Sequence, residues 1–219
     1  SASGSVTGES EVGGLVGFNG EDGTVQSASA SGSVTGTNRV GGLVGRNGGN
    51  ITDAFAVGPV SGDTNVGGLA GESGFFGNIT DASASGGVNG SENVGGLVGE
   101  NDDGAITDSS ASGSVSATGE FGTAGGLVGR NSGNLTDATA SGSVTGDRQV
   151  GGLVGTNNGG TIQNATASGN VTGGFEVGGL VGFNVGDNSN IGTTTPATIT
   201  TASASGNVTG KRRVGGLVR

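Results

Sequence analysis

Cysteine, histidine, methionine, tryptophan and tyrosine are all absent from the 219 residues, and proline occurs only twice. Without His or Cys the Ser–His and Cys–His nucleophile–base pairs are excluded, and without Tyr one further acid–base group is lost. Carboxylate chemistry would need clustered acids with basic partners in a groove. The basic residues are few and dispersed (Arg39, Arg46, Arg130, Arg148, then Lys211 to Arg213), so the chain is expected not to be an enzyme. The lack of cysteine leaves the compartment open, since reduced chains and unstapled secreted ones both do without it. Eight basic residues stand against 18 acidic ones, for a net charge of −10. That balance argues against a nucleic-acid partner, which needs a basic footprint, and favours solubility in a salty exterior. No apolar run is long enough for a helical span, so no membrane insertion is expected. No charged segment followed by an apolar one opens the sequence, so a signal peptide is not expected within it. Good helix formers are scarce, which leaves an all-β chain.

What is abundant is glycine, at 54 residues. It follows no three-residue period, which excludes collagen, and with two prolines the chain does not read as a Pro/Gly-rich linker. The glycines fall in a recurring block, Val12-Gly13-Gly14-Leu15-Val16-Gly17, which returns around Leu43, Leu69, Leu97, Leu127, Leu153, Leu180 and Leu217. Successive leucines are 28, 26, 28, 30, 26, 27 and 37 residues apart. A period in that range is the signature of a stacked-repeat architecture.

Each repeat reads as three short extended segments separated by Gly/Asn/Asp turns. In the longest, Ala82, Ala84, Gly86 and Val88 share one parity while Ser83, Ser85, Gly87 and Asn89 share the other. That alternation describes a strand with one buried face. The buried side chains are small, so one coil cannot offset the ordering entropy of its own residues, and coils must stack. The expectation is one continuous parallel β-solenoid over residues 1–219. It would have about eight coils of 26–30 residues, wind right-handedly, carry its largest insertion near 185–197, and begin and end mid-repeat. The eight block leucines form its repeating core.

The residue before the block (Glu11, Arg39, Asn65, Asn93, Thr123, Gln149, Glu176, Arg213) and the residue after it (Phe18, Arg46, Glu72, Glu100, Arg130, Thr156, Phe183) both vary and are mostly polar. Both are expected to face outward. They are seven apart, so strict alternation must break once, and the paired glycines are the least costly place for it. Two arrangements follow. Either a corner tucks both Leu15 and Val16 inside, which is preferred, or the Val16 column forms an exposed apolar seam.

The asparagine after the block (Asn19, Asn47, Asn101, Asn131, Asn157, Asn184, with Ser73 as the exception) is expected to form a ladder of stacked amides. Asp22, Asp102, Asp103 and Asp187 lie in turns and are weak calcium candidates, although the calcium β-roll nonapeptide is absent. The aspartates at Asp53, Asp81, Asp108 and Asp137 are expected to accept turn N–H groups. The outward Ser/Thr columns are too irregular to make ice binding a leading reading. Asn-x-Ser/Thr sequons occur at Asn50, Asn78, Asn89, Asn134, Asn164, Asn170 and Asn207, which a glycosylating cell could modify on exposed turns and edges.

The block Val-Gly-Gly-Leu-Val-Gly-x-Asn, followed by Ile-Thr-Asp-Ala-x-Ala-Ser-Gly-x-Val-x-Gly, resembles the GLUG-motif repeat family over essentially the whole chain. That family occurs in large exported and surface-anchored proteins of bacteria and archaea, including adhesin-like ones. The resemblance implies a non-catalytic repeat module of the cell surface or extracellular space: a stalk, surface-layer or filament-forming segment. Its partners would be further copies of itself, stacked end to end or laterally, or other surface proteins and glycans. It carries over no catalytic or ligand-binding residue and no cofactor. The alternative is a carbohydrate-binding or carbohydrate-active β-helix, with calcium-binding and ice-binding solenoids behind it.

Overall fold

The computed structural model describes residues 1–186 and 195–218, every ordered segment of which is strand, turn or bend. Most of the 185–197 insertion, Asp187 included, lies outside the described residues. One turn of the coil passes through four strands, for example Asn50–Ala56, Val60–Ser61, Thr64–Gly67 and Ala70–Ser73. Each pairs in parallel with its counterparts in the turns above and below. Ile51 thus lies against Ile79, Val60 against Val88, Val66 against Val94 and Ala70 against Val98. Four parallel sheets result, two of eight strands, one of seven, and one formed by the long strands. The architecture is the expected β-solenoid. It holds six complete turns with a partial turn at each end, rather than eight full coils, because the first layer lacks its long strand and the last lacks its fourth.

Two apolar cores run side by side along the axis. The larger, between the first and fourth sheets, is built from the columns of Ile51, Ala54, Ala56, Leu43 and Val44. The smaller, between the second and third sheets, stacks Val34 and its counterparts on Val40 and its counterparts. The second glycine of the block separates them. A Cβ on Gly42 would meet the Ala56 methyl at 3.1 Å and the Gly68 carbonyl oxygen at 2.2 Å.

The six block leucines from Leu43 to Leu180 are fully buried. Leu15 and Leu217, in the end layers, are 39% and 42% exposed. The Val16 column lies inside the larger core, with Val44, Ala70, Val98, Val128, Val154 and Val181 all buried. Leucine and valine point inward in succession because their N–H groups share one acceptor. Leu43 N and Val44 N both donate to the Leu69 carbonyl, at 2.9 and 3.0 Å. This is a bulge, repeated in every layer from Leu15 to Leu180.

The break in parity is therefore not a single event at the paired glycines. A second switch occurs at the residue before the valine, where Glu11, Arg39, Asn65, Asn93, Gln149, Glu176 and Arg213 all take positive φ between 50° and 56°. A third lies in the long strand, at Ser27, Asp53, Asp81, Asp108, Asp137, Asn164 and Thr201, with φ of 48° to 56°. The corners are thus made by polar left-handed residues. Among the described residues Gly159 is the one glycine with positive φ. The aspartates bend the strand so that Ile51 and Ala54, three apart, both point inward; they are not general acceptors for turn N–H groups. Asp53 accepts a 3.1 Å bond from the Ser27 hydroxyl instead.

Left-handed backbone costs an L-residue roughly 1–2 kcal/mol, less for Asp and Asn. Asp81→Asn is therefore expected to change stability by less than about 0.5 kcal/mol, while β-branched Asp81→Val costs about 1–2 kcal/mol. Urea unfolding of the two variants checks this.

Candidate functional site: a polar seam flanked by aromatic clefts

The third and fourth sheets meet backbone to backbone. The third glycine of the block makes this possible: a Cβ on Gly45 would lie 2.3 Å from the Glu11 carbonyl carbon, and one on Gly71 would lie 2.4 Å from that of Arg39. This close approach brings together the two variable columns expected to face separately outward. They face each other and interlock as a half-buried seam along the axis.

Glu72 is its best-connected member. It accepts from Arg39 Nε, from Arg46 Nε at 3.0 Å and from Asn65 Nδ2 at 3.3 Å. Asn65 also donates to Glu100 at 2.7 Å, and Arg130 donates to the other oxygen of Glu100 at 2.6 Å. Further along, Thr123 and Thr156 donate to Gln149, Gln149 donates to Glu176, and Arg213 closes the run on Glu176 at 2.7 Å. Arg39, Arg46, Arg130 and Arg213, which look scattered in the sequence, are thus collected opposite three glutamates, Glu72, Glu100 and Glu176. The hydrogen bond to Glu72 holds the Arg39 guanidinium above its ordinary range. The Glu72 and Glu176 side chains are only 11% and 6% exposed, so they need these donors. The sequence signal was the shared repeat column; what it could not show was which columns meet.

On the far side of the fourth sheet the asparagine ladder forms as expected. Asn101 donates to Asn131 at 2.8 Å, Asn131 to Asn157 at 2.9 Å and Asn157 to Asn184 at 2.9 Å. Each of the three also donates to the turn that follows it, Asn131 to the Gly133 carbonyl at 3.0 Å. Ser73 breaks the ladder. Its hydroxyl donates to Gly77, and Asn101 Oδ1 is left buried with no partner. Asn19 precedes a turn of equal length, Gly20 to Gly23 against Gly74 to Gly77, so an amide fits this setting. Ser73→Asn is expected to satisfy Asn101 and raise stability by about 1 kcal/mol, read from the urea midpoint.

Two clefts border the seam. One, of about 340 Å³, is lined by Glu120, Phe121, Asp147, Arg148 and Phe175. The other, of about 140 Å³, is lined by Phe18, Glu21, Arg46, Gly48, Gly74, Phe75 and Phe76. The insertions that swell individual turns supply Phe75, Phe76 and Phe121. Arginine stacks on the rings in both, Arg46 over Phe18 at 5.4 Å and Arg148 over Phe121 at 5.4 Å.

The calcium candidates Asp22, Asp102 and Asp103 are exposed on turns. Among the described residues no three metal-ligating side chains come together. All seven sequon asparagines, from Asn50 to Asn207, have exposed side chains. No helix among the described residues is long and apolar enough to cross a membrane.

The family described as the GLUG motif matches residues 8–35, 36–61, 90–116, 122–145 and 146–172, more than half of the chain. The unmatched turn at 62–89 is the one that carries Ser73 and the Phe75–Phe76 insertion. No curated protein and no solved structure matches.

Proposed function

The chain belongs to the GLUG motif family, and we propose that its solenoid is a structural module displayed at the cell surface, a stalk that holds other parts of a surface assembly apart. The observation that carries this reading is the uniform cross-section. Each complete turn repeats the same two cores, the same bulge and the same backbone ladder, so length grows with repeat number while the section stays constant. Such a body resists bending and pulling without needing a binding pocket. The acidic charge of −10 keeps neighbouring rods apart. A further layer stacked on Leu15 or Leu217 would cover their exposed side chains, which suits end-to-end continuation in the same chain or a second copy.

Labelling intact cells with an antibody raised against the purified solenoid tests the placement. Surface labelling that protease shaving removes is expected; signal confined to lysed cells would contradict it. The rival reading, a polysaccharide-cleaving β-helix, predicts release of reducing ends from polysaccharides, and none is expected.

A further inference from the structure

Five of the seven phenylalanines, Phe18, Phe55, Phe75, Phe76 and Phe121, are at least half exposed, in a chain that buries Val, Leu, Ile and Ala. Exposed rings gathered beside polar groups mark interaction sites. The larger cleft is the best-equipped place. The Arg148 guanidinium lies over the rings of both Phe121 and Phe175, at 5.4 and 5.3 Å, and that of Arg213 lies over Phe175 at 4.8 Å. Stacking uses the flat face of a guanidinium and leaves its in-plane N–H donors directed outward. Arg39, Arg46, Arg130 and Arg213 spend those donors on glutamates, whereas Arg148 forms no ion pair among the described residues. The cleft therefore offers one ring that is 66% exposed, Phe121, a set of unspent planar donors on Arg148, and two carboxylates, Glu120 and Asp147.

The charges select among ligand classes. An anion would meet two carboxylates against one arginine, on a chain of net charge −10. A cation would compete with Arg148, which already lies over both rings. A neutral sugar ring satisfies all three elements together. Its C–H face covers the open face of Phe121, its hydroxyl protons go to Glu120 and Asp147, and its hydroxyl oxygens accept from Arg148. We propose that this cleft is a binding subsite for a neutral pyranose unit of a glycan.

The smaller cleft holds a related set, with Phe18, Phe75 and Phe76 as rings and Glu21 as acceptor, although its arginine, Arg46, is already paired with Glu72. Arg46 and Arg148 are four layers apart, about 19 Å at the spacing of paired strands, so a polymer rather than a monosaccharide is the fitting ligand. This deepens the reading of a surface module by naming what it would hold, and a stalk could stand without it.

With no Trp or Tyr to report binding by fluorescence, the test is NMR of ¹³C-labelled phenylalanine rings. The probes are neutral oligosaccharides of β-1,4-linked glucose and of β-1,4-linked mannose, oligogalacturonate as the anionic arm, and tetramethylammonium as the cationic arm. At least one neutral oligosaccharide is expected to shift the Phe121 and Phe175 resonances saturably, at about millimolar Kd or tighter. Phe121→Ala, whose ring contributes little to folding, is expected to weaken that binding about tenfold or more, as is Asp147→Asn. Silence of both neutral probes overturns the proposal. So do shifts from oligogalacturonate or tetramethylammonium alone, or an affinity unchanged in Phe121→Ala. Surface labelling without binding would defeat this proposal alone; binding by a chain confined inside the cell would defeat the localisation alone.

Discussion

Gly125→Ala is expected to abolish cooperative folding, at a cost above about 4 kcal/mol. A Cβ at that position would sit 1.9 Å from the Val128 carbonyl oxygen in its own layer and 2.7 Å from the Gly155 nitrogen. Both obstacles are backbone, so no rotamer change can make room. Gly41, Gly67, Gly95 and Gly151 stand in the same column with the same contact at 1.9 to 2.0 Å, and a shift in one layer would be passed to the next. The requirement is space rather than conformation, because none of these glycines adopts positive φ. Gly87 supplies the contrast. A Cβ there would meet nothing closer than the Ser114 hydroxyl at 3.5 Å, and other repeats carry Ser33, Ser114 and Ser143 in that column. Gly87→Ser is expected to be neutral or slightly stabilising, since it restricts the unfolded chain. Circular dichroism during a urea titration distinguishes the two: a normal transition for the second, and for the first no transition from a β spectrum.

Leu127→Ala should be nearly as damaging, by about 3–5 kcal/mol. Leu127 is fully buried in the fifth layer, its N–H bonded to the Leu153 carbonyl at 2.8 Å and its carbonyl accepting from Leu97 at 2.8 Å. With the Ile51 column it supplies the bulk of a core otherwise built from Val and Ala, and paired backbone on every side leaves little that can collapse into the void. Because each layer contacts mainly its neighbours, a weakened layer also uncouples the two sides. Hydrogen exchange is expected to show protection falling around Leu127 first, with the layers on either side then opening separately. The same change at Leu15, which is 39% exposed, is expected to cost about 1 kcal/mol or less, since it leaves no enclosed cavity.

The two results turn on features of unequal visibility in the sequence. The stack itself was legible because the block recurs and because Ala82, Ala84 and Val88 alternate with polar residues. The inward Leu–Val pair was one of two arrangements the pattern allowed, and a shared backbone acceptor selects it. The corners were not legible, since glycine is the usual candidate for left-handed backbone and the glycines here are used for close contact instead. A faint signal existed. The columns of Asp53 and of Glu11 are almost free of β-branched residues, which left-handed positions disfavour, Thr201 in the end layer being the one that takes positive φ. Thr123, the exception in the second column, does not take positive φ. The seam was hidden for a different reason. Arg39 and Glu72 lie 33 residues apart, and only the backbone approach at the third glycine makes them neighbours. The count of turns fell from eight to six because a block leucine marks a layer, not a completed circuit.

In-register stacking is the claim on which all of this rests, and the absence of cysteine makes it directly measurable. Phe55, Ser83, Ser110, Thr139, Thr166 and Ser203 form one outer column of successive Cα partners, so paired cysteine substitutions carry spin labels at unambiguous places. Dipolar spectroscopy on Phe55→Cys with Thr166→Cys, four layers apart, is expected to give a narrow distribution near about 19 Å. Moving the second label to Ser203 should lengthen it by one layer, to about 24 Å. Broad distributions, or a change unrelated to one strand spacing despite 37 added residues, would contradict the stacked coil.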